Sequence, residues 1–298
     1  MNIDDIKRFE IAMTTRRTRE YDYSLVAKKS LIYLFCGFLC VLSVLPFLVM
    51  FVNATRPSAA IQQGLSLLPG DQLFVNMETL YNRQSFDVLR GMSNSLFVSS
   101  MNTVLALYFG TMTAYGLLVY RFRGRGAAFT FILLVQMIPT QVSIVGFFSF
   151  MSRLGLTNSY IPLIVPAIAS PAVVFFMRQY MVAGLPLEVV EAARIDGCGE
   201  LRTFNTIALP MMKPALATQA IFTFVASWNK LFEPTMLITS QNKYTMPMLV
   251  SLLKSDRFRT DYGTVYLALS LTVLPLFVIY FALSKHIIRG VAISSLME

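Results

Sequence analysis

The chain has 298 residues and a formal net charge of +9, yet only 14% of its residues are charged and 55% are hydrophobic. Soluble globular domains carry roughly 25% charge, and long uncharged windows leave no polar helix face, so the composition argues against a soluble helical protein. No basic stripe interleaved with aromatics accompanies the positive charge, which removes nucleic acid as a partner and assigns the excess to topology and anionic lipid.

In chain order, residues 1–29 form a polar cytoplasmic segment. Ile3, Ile6, Phe9 and Met13 recur there every three or four positions, which predicts an amphipathic surface helix. This leader and the apolar run after it are too long for a cleaved signal peptide and are expected to be retained. A first transmembrane helix follows at 30–52, uncharged from Leu31 to Val52 and carrying Cys36 and Cys40. Residues 53–90 form an external loop punctuated by Asn53, Pro57, Gly64, Pro69 and Gly70. A core at 91–285 then supplies uncharged windows at Gly91–Tyr120, Gly126–Ser152, Leu154–Met177 and Tyr262–Ser284. A shorter one, Pro214–Asn229, is interrupted by Lys230 and Glu233 and resumes at Pro234–Ile238. A helix needs about 20 residues to cross a bilayer core. The expected fold is therefore an all-α polytopic membrane protein with six transmembrane helices and a cytoplasmic tail at 286–298. Pro46, Pro139, Pro166, Pro171 and Pro275 fall inside these spans and are expected to kink them.

Basic residues set the orientation. Lys7, Arg8, Arg16, Arg17, Arg19, Lys28 and Lys29 precede the first span, and Arg121, Arg123 and Arg125 crowd the turn between the second and third. Arg178, Arg194, Arg202 and Lys213 lie between the fourth and fifth, and Lys285 and Arg289 follow the sixth. With six spans these segments share one side, so both termini are expected in the cytoplasm.

Much chemistry is missing. The dipeptide Gly-Lys never occurs, so there is no phosphate-cradling loop, and no Gly-x-Gly-x-x-Gly is present either. The lone histidine, His286 beside Lys285, has no partner for a metal pair or a nucleophile relay and reads as a solvated interface residue. Cys36, Cys40 and Cys198 have no metal or disulfide spacing. The chain is expected to be a transport subunit rather than an enzyme, with no catalytic residue, metal or cofactor of its own.

Two groups are candidates for a solute path. Gln136 and Gln141 flank Pro139; they either face a bundle interior or satisfy backbone groups freed by the proline. Lys230 and Glu233 interrupt a span at a separation of three, placed to neutralise each other on one helical face. Trp228 and Asn229 adjoin them. An indole face and polar neighbours suit a sugar ring, and the same patch equally reads as an external cap with an interfacial Trp.

The densest signal is EAARIDGCGELRTFNTIALPMMKP, from Glu191 to Pro214. Leu185-Pro186 starts a helix, Glu188 and Glu191 suit its first turns, and Ala192 and Ala193 permit close approach of another surface. Asp196-Gly197 signals a stop with a left-handed residue, Gly199 precedes a second short helix through Leu201, Phe204 and Ile207, and Leu209-Pro210 ends it. Two short cytoplasmic helices at an angle, at about 185–207, are expected.

These residues resemble the EAA signature of the membrane subunits of binding-protein-dependent ABC importers. Glu191-Ala192-Ala193, Asp196-Gly197, Phe204, Ile207, Leu209-Pro210 and Pro214 stand at its spacings, and the Asp-Gly form is similar to the carbohydrate, maltose-type branch. The likeness covers about residues 28 to 292. It implies a type I ABC importer fold, and coupling to an ATPase through Glu191, Ala192, Ala193, Asp196, Gly197, Phe204 and Pro210. It also implies a second, non-identical permease subunit, two ATP-binding subunits that use ATP and Mg, an extracytoplasmic solute-binding protein, and a bacterial or archaeal cytoplasmic membrane. The solute implied is a sugar or oligosaccharide, with a non-sugar ABC solute as the alternative and an ion-coupled carrier behind it. The tail departs from the family pattern, ending VAISSLME, so no tail contact with the ATPase is carried over.

Overall fold

The computed structural model describes the backbone of residues 23–83, 86–255 and 261–295 and, within these, the side chains of 28–83, 86–139, 142–253 and 261–282. The leader pattern around Ile3 to Met13, the side chain of His286 and the last three residues lie outside the described residues. All regular structure among the described residues is helical: α1 Tyr23–Asn53, α2 Ser58–Gln63, α3 Leu73–Tyr81, α4 Val88–Val119, α5 Arg125–Gln136, α6 Thr140–Arg153, α7 Ile161–Ile164 and α8 Pro171–Gly184. There follow α9 Leu187–Ile195, α10 Glu200–Thr203, α11 Leu209–Met211, α12 Lys213–Trp228, α13 Phe232–Leu237, α14 Met246–Ser255 and α15 Tyr262–Ser295. Among the described residues four stretches are long and apolar enough to cross a membrane, at Lys28–Asn53, Val88–Val119, Ile161–Gly184 and Tyr262–Ala282.

The bundle is organised by α4, whose 32 residues span about 48 Å at 1.5 Å per residue. Asp87 caps it, accepting the Arg90 N–H at 3.0 Å. Its buried seam is mostly small and weakly polar, with Gly91, Ser95, Ser99, Asn102, Thr103, Ala106, Gly110, Thr111 and Ala114 beside the larger Val98, Tyr115 and Leu117. Without hydrophobic drive between helices in lipid, small residues that let backbones approach are what hold them. Gly110 is the clearest case, since a Cβ there would lie 2.7 Å from the Val173 side chain of α8. Against this seam pack α8 and α12, and α12 in turn packs on α15. By contrast α1 buries none of its apolar window and touches α15 through Phe47 and Phe51 against Phe277.

Prolines act more strongly than expected at three of five positions. Pro46 and Pro275 stay inside helices. Pro139, with ψ 122°, instead separates α5 from α6, so the expected third span is two shorter helices. Pro166 sits in a 3-10 turn at Val165–Ala169, and Pro171 opens α8 after Ser170 leaves the helix at ψ 101°. A proline withholds an N–H and pushes the preceding residue toward extended backbone, which stops a helix wherever neighbours do not re-close it. The fifth span likewise halts at Trp228; Lys230 lies in the break and Glu233 in the first turn of α13, so the two do not share one helix face. At the other extreme α15 runs unbroken through the expected tail boundary to Ser295.

The loops sort to two ends. One holds α2, α3 and the segments around Asn158, Lys243 and Asp261. There Asn94 donates to the carbonyls of Asn242 and Tyr244, Asn76 donates to that of Ala54, and Ser58 hydrogen-bonds Asp261. The opposite end holds the basic turn at Arg121–Arg125 and the α9–α11 hairpin, joined by a hydrogen bond from Tyr120 to Glu200.

Candidate functional site

The hairpin is built by local backbone chemistry. Pro186 precedes α9 at φ −62°, and Asp196 caps its end. Gly197 then takes φ 77°, a left-handed conformation that side-chain-bearing residues adopt at a cost. With it, the Gly197 N–H reaches the Arg194 carbonyl at 3.0 Å and the Cys198 N–H reaches that of Ala193 at 2.9 Å. That pair of bonds is the Schellman closure, so the bend angle is fixed by hydrogen bonds and not by loop slack. The chain re-enters helix at Glu200, widens into a π turn over Phe204–Ala208, and continues through Pro210 to Met211. The expectation that Leu209-Pro210 terminates the helix is corrected here. The Leu209 N–H bonds the Phe204 carbonyl five residues back, and this wider turn accommodates the proline's missing donor. The break comes instead at Met212, with ψ 5°.

Side chains divide the hairpin into an inner and an outer face. Val190, Ala193, Thr203, Phe204 and Ala208 are buried. Phe204, 1% exposed, lies between Tyr108 and Tyr115 of α4, at ring-centroid distances of 5.8 and 5.4 Å. Ala193 and Phe204 therefore face this chain's own core, while Glu191, Ala192, Asp196 and Gly197 face solvent and Pro210 is half-buried. Two large apolar side chains share the solvent face, Ile195 at 87% exposed and Leu201 at 67%.

A charged clamp that sequence reasoning missed holds the elbow to the bundle. Arg194 of α9 donates to both Glu200 oxygens, at 2.8 and 3.1 Å, and the Tyr120 hydroxyl at the end of α4 donates to Oε2 at 2.6 Å. The Arg194 guanidinium also lies over the Tyr120 ring, 5.5 Å from its centroid. The bonds from Arg194, and then that from Tyr120, hold the Glu200 carboxyl below its usual range. Burial, reinforced by donation to Glu200, pushes the Tyr120 hydroxyl up to about 12. The available signal was an acid and an arginine six positions apart across a Gly turn; nothing local pointed to a tyrosine 80 residues away.

The second constellation is an open cavity of about 690 Å³ lined by α4, α5, α6, α7, α8, α12 and α13. The proline-broken segments at Ile138 and at Pro166 to Ser170 line it, consistent with irregular backbone being tolerated at membrane depth only beside a cavity. Gln136, Lys230 and Glu233 converge there with Ser143, Gln219 and Thr223, which sequence reasoning did not single out. Lys230 Nζ lies 2.7 Å from Glu233 Oε2. Trp228 does not line this cavity, although it lines a small pocket beside it. It is 1% exposed, stacks on Phe224 and donates its indole N–H to the Thr272 carbonyl at 3.2 Å, so its ring is an internal brace rather than a platform for a sugar or an interfacial anchor. Asn229 is exposed outside the lining. Gln141 lies in α6, its side chain outside the described residues.

A multi-pass helical bundle with an open cavity lined by broken helices and a bent helix pair at one end fits a membrane transport subunit. The chain belongs to the family of binding-protein-dependent transport system inner membrane components, whose family model matches residues 103–293. It is 32% identical over 260 residues to the arabinooligosaccharides transport system permease protein AraQ of Halalkalibacterium halodurans, covering 86% of this chain and 92% of that one. It is also 32% identical over 253 residues to the sn-glycerol-3-phosphate transport system permease protein UgpE of Salmonella typhi, covering 82% and 89%. In fold it is similar to a chain of a bacterial ABC transporter involved in the import of alginate, with a TM-score of 0.76, 22% identity and coverage of 88% and 97%. The protein is thus a multi-pass component of the cytoplasmic membrane and a permease subunit of an ABC importer, with ATP hydrolysis left to partner ATPases.

Proposed function

We propose that this chain is one of two non-identical permease subunits that together enclose the pathway of an importer for a sugar or oligosaccharide. In this reading six spans cross the membrane: α1, α4, the α5–α6 pair, α7–α8, α12 with α13, and α15. Both termini and the α9–α11 elbow lie in the cytoplasm, on the side of the basic turn at Arg121–Arg125. Two ATP-binding subunits, which bind ATP and Mg, seat one on each permease, and an extracytoplasmic binding protein delivers the solute at the opposite end.

The observation that carries the reading is the elbow's construction. A bent helix pair is closed by Gly197, pinned inward by Phe204 and clamped by Glu200, which ties it to α4. Its outer face presents Glu191 and Ala192 beside exposed Ile195 and Leu201, an apolar surface with an acid at its margin that this chain leaves uncovered. Closure of the ATPase dimer pushes this surface, and the rigid elbow tilts α4, α8 and α12 around the cavity. Glu191→Lys should leave the subunit in the membrane and abolish solute-stimulated ATP hydrolysis by the assembled complex; wild-type stimulation would end the coupling proposal.

The sugar assignment is supported by the relative named for arabinooligosaccharides. A relative of the same percentage identity, named for sn-glycerol-3-phosphate, favours a second reading, a small phosphorylated solute. Uptake of labelled arabinotriose against labelled sn-glycerol 3-phosphate separates the two.

A further inference from the structure

At the outer end of α12 a small pocket lies beside the main cavity, sharing Leu163, Ser227 and Lys230 with it. Its volume of about 10 Å³ matches a single oxygen-sized group. Ser95, Ser99 and Thr245 complete its polar lining. Ser227 Oγ and Thr245 Oγ1 are buried, with the residues 7% and 4% exposed, and neither has a hydrogen-bond partner among the described residues. Ser95 Oγ accepts the Met246 N–H at 2.8 Å and keeps its own proton to donate. Buried hydroxyls are almost always paired, and leaving two unpaired beside one pocket points to a group that visits it.

We infer that Ser227, Thr245 and Ser95 form a subsite for one uncharged hydroxyl, and that Lys230, neutralised by Glu233, makes the pathway select neutral polyhydroxylated solutes over anionic ones. This rests on the importer reading above. Hydroxyls both donate and accept, so three of them suit a solute hydroxyl. An ionised phosphate or carboxylate brings a full charge to a wall where the cation is already paired at 2.7 Å and the acid repels it. The remaining polar lining, Asn102, Gln136, Ser143, Ser170, Gln219 and Thr223, is neutral. Water shares the hydroxyl's chemistry, and the test separates the two.

The test uses the complete complex in proteoliposomes, with labelled arabinotriose as the neutral probe and sn-glycerol 3-phosphate as the anionic one. Wild type should take up the first and not the second. Thr245→Val and Ser227→Ala should each raise the half-saturating arabinotriose concentration by about tenfold, with maximal rate and thermal midpoint unchanged. Glu233→Gln, which leaves Lys230 unpaired, should depress arabinotriose uptake and admit the phosphate, and Lys230→Gln/Glu233→Gln should restore the neutral preference. Arabinotriose uptake that is unaffected by Thr245→Val and Ser227→Ala overturns the subsite and leaves the importer reading standing; uptake of the phosphate alone overturns the selectivity and the sugar reading together. Cryo-electron microscopy of the complex supplies a readout that needs no transport. An ordered oxygen within hydrogen-bond reach of Ser227 and Thr245, replaced by a sugar hydroxyl when arabinotriose is added, supports the subsite. A pocket dry in both maps, or one whose water persists with the sugar bound elsewhere, overturns it.

Discussion

The two ends of the bundle are held by different chemistry. At the outer end the bonds run mostly from side chains to backbone or neutral groups. Asn158, at φ 57°, donates to Ser240 Oγ at 2.7 Å and accepts the Ser240 N–H at 3.0 Å, while its own backbone N–H bonds the Leu237 carbonyl at 2.7 Å. Lys243 donates to the Asn158 carbonyl. At the inner end the fastening is an exposed ion pair with a tyrosine, Arg194–Glu200–Tyr120, over one buried aromatic, Phe204. The outer end ties its loops to one another, with Ser227 and Thr245 left unpaired at the side pocket and Leu68, Phe74 and Tyr81 exposed. The inner end fixes an angle by the Gly197 turn and the Arg194–Glu200–Tyr120 clamp, with Ile195 and Leu201 exposed on its solvent face.

The strongest way to break this contrast is at the bend. Gly197→Val places a β-branched residue at positive φ, at a strain of about 1–3 kcal/mol that the elbow relieves by losing its angle. Solute-stimulated ATP hydrolysis should vanish while membrane insertion is retained, and Gly197→Asn, which tolerates the left-handed region, should keep most of the activity. Next, Phe204→Ala empties a site between Tyr108 and Tyr115 at about 3–5 kcal/mol. It should lower both the thermal midpoint and the stimulation. Asn158→Ala at the outer end should lower the midpoint by the equivalent of about 1–3 kcal/mol while leaving transport per ATP unchanged. Equal effects of Phe204→Ala and Asn158→Ala on transport per ATP would erase the distinction between the ends.

The smallest effect is electrostatic. Glu200 has its carboxyl pKa lowered in the fold by Arg194 and then by Tyr120, so the clamp contributes fully above the usual carboxylate value of 4.5 and fades as pH falls through the lower folded value. Asp261 behaves alike for another reason: burial raises its carboxyl, and bonds from Ser58, Thr264 and Gly263 outweigh that to leave it below 3.8. Thermal midpoints should stay flat from about pH 8 to 5 and fall only in acid, with Glu200→Gln and Asp261→Asn each removing part of that fall. A clamp this exposed should shift the midpoint by no more than about 1 kcal/mol equivalent.

What could be read from the sequence was what is local. Leu185-Pro186 and Asp196-Gly197 dictate their backbone directly, so the elbow's outline emerges from neighbours in the chain. Which way Ala193, Phe204 and Trp228 point did not, because a chain apolar on every face gives no periodic contrast between lipid and core. The stops at Pro139 and Ser170 were underestimated as kinks, since whether a freed carbonyl is re-satisfied depends on packing. The bond from Tyr120 to Glu200 joins residues 80 apart in sequence and needs the fold to exist first.

The coupling claim is most directly tested at Ile195, 87% exposed at the tip of α9. A photo-crosslinking residue placed there in the complete complex, irradiated with and without trapped ATP, should form its adduct with an ATP-binding subunit in both states. Adducts confined to lipid or to this chain itself would contradict the coupling role.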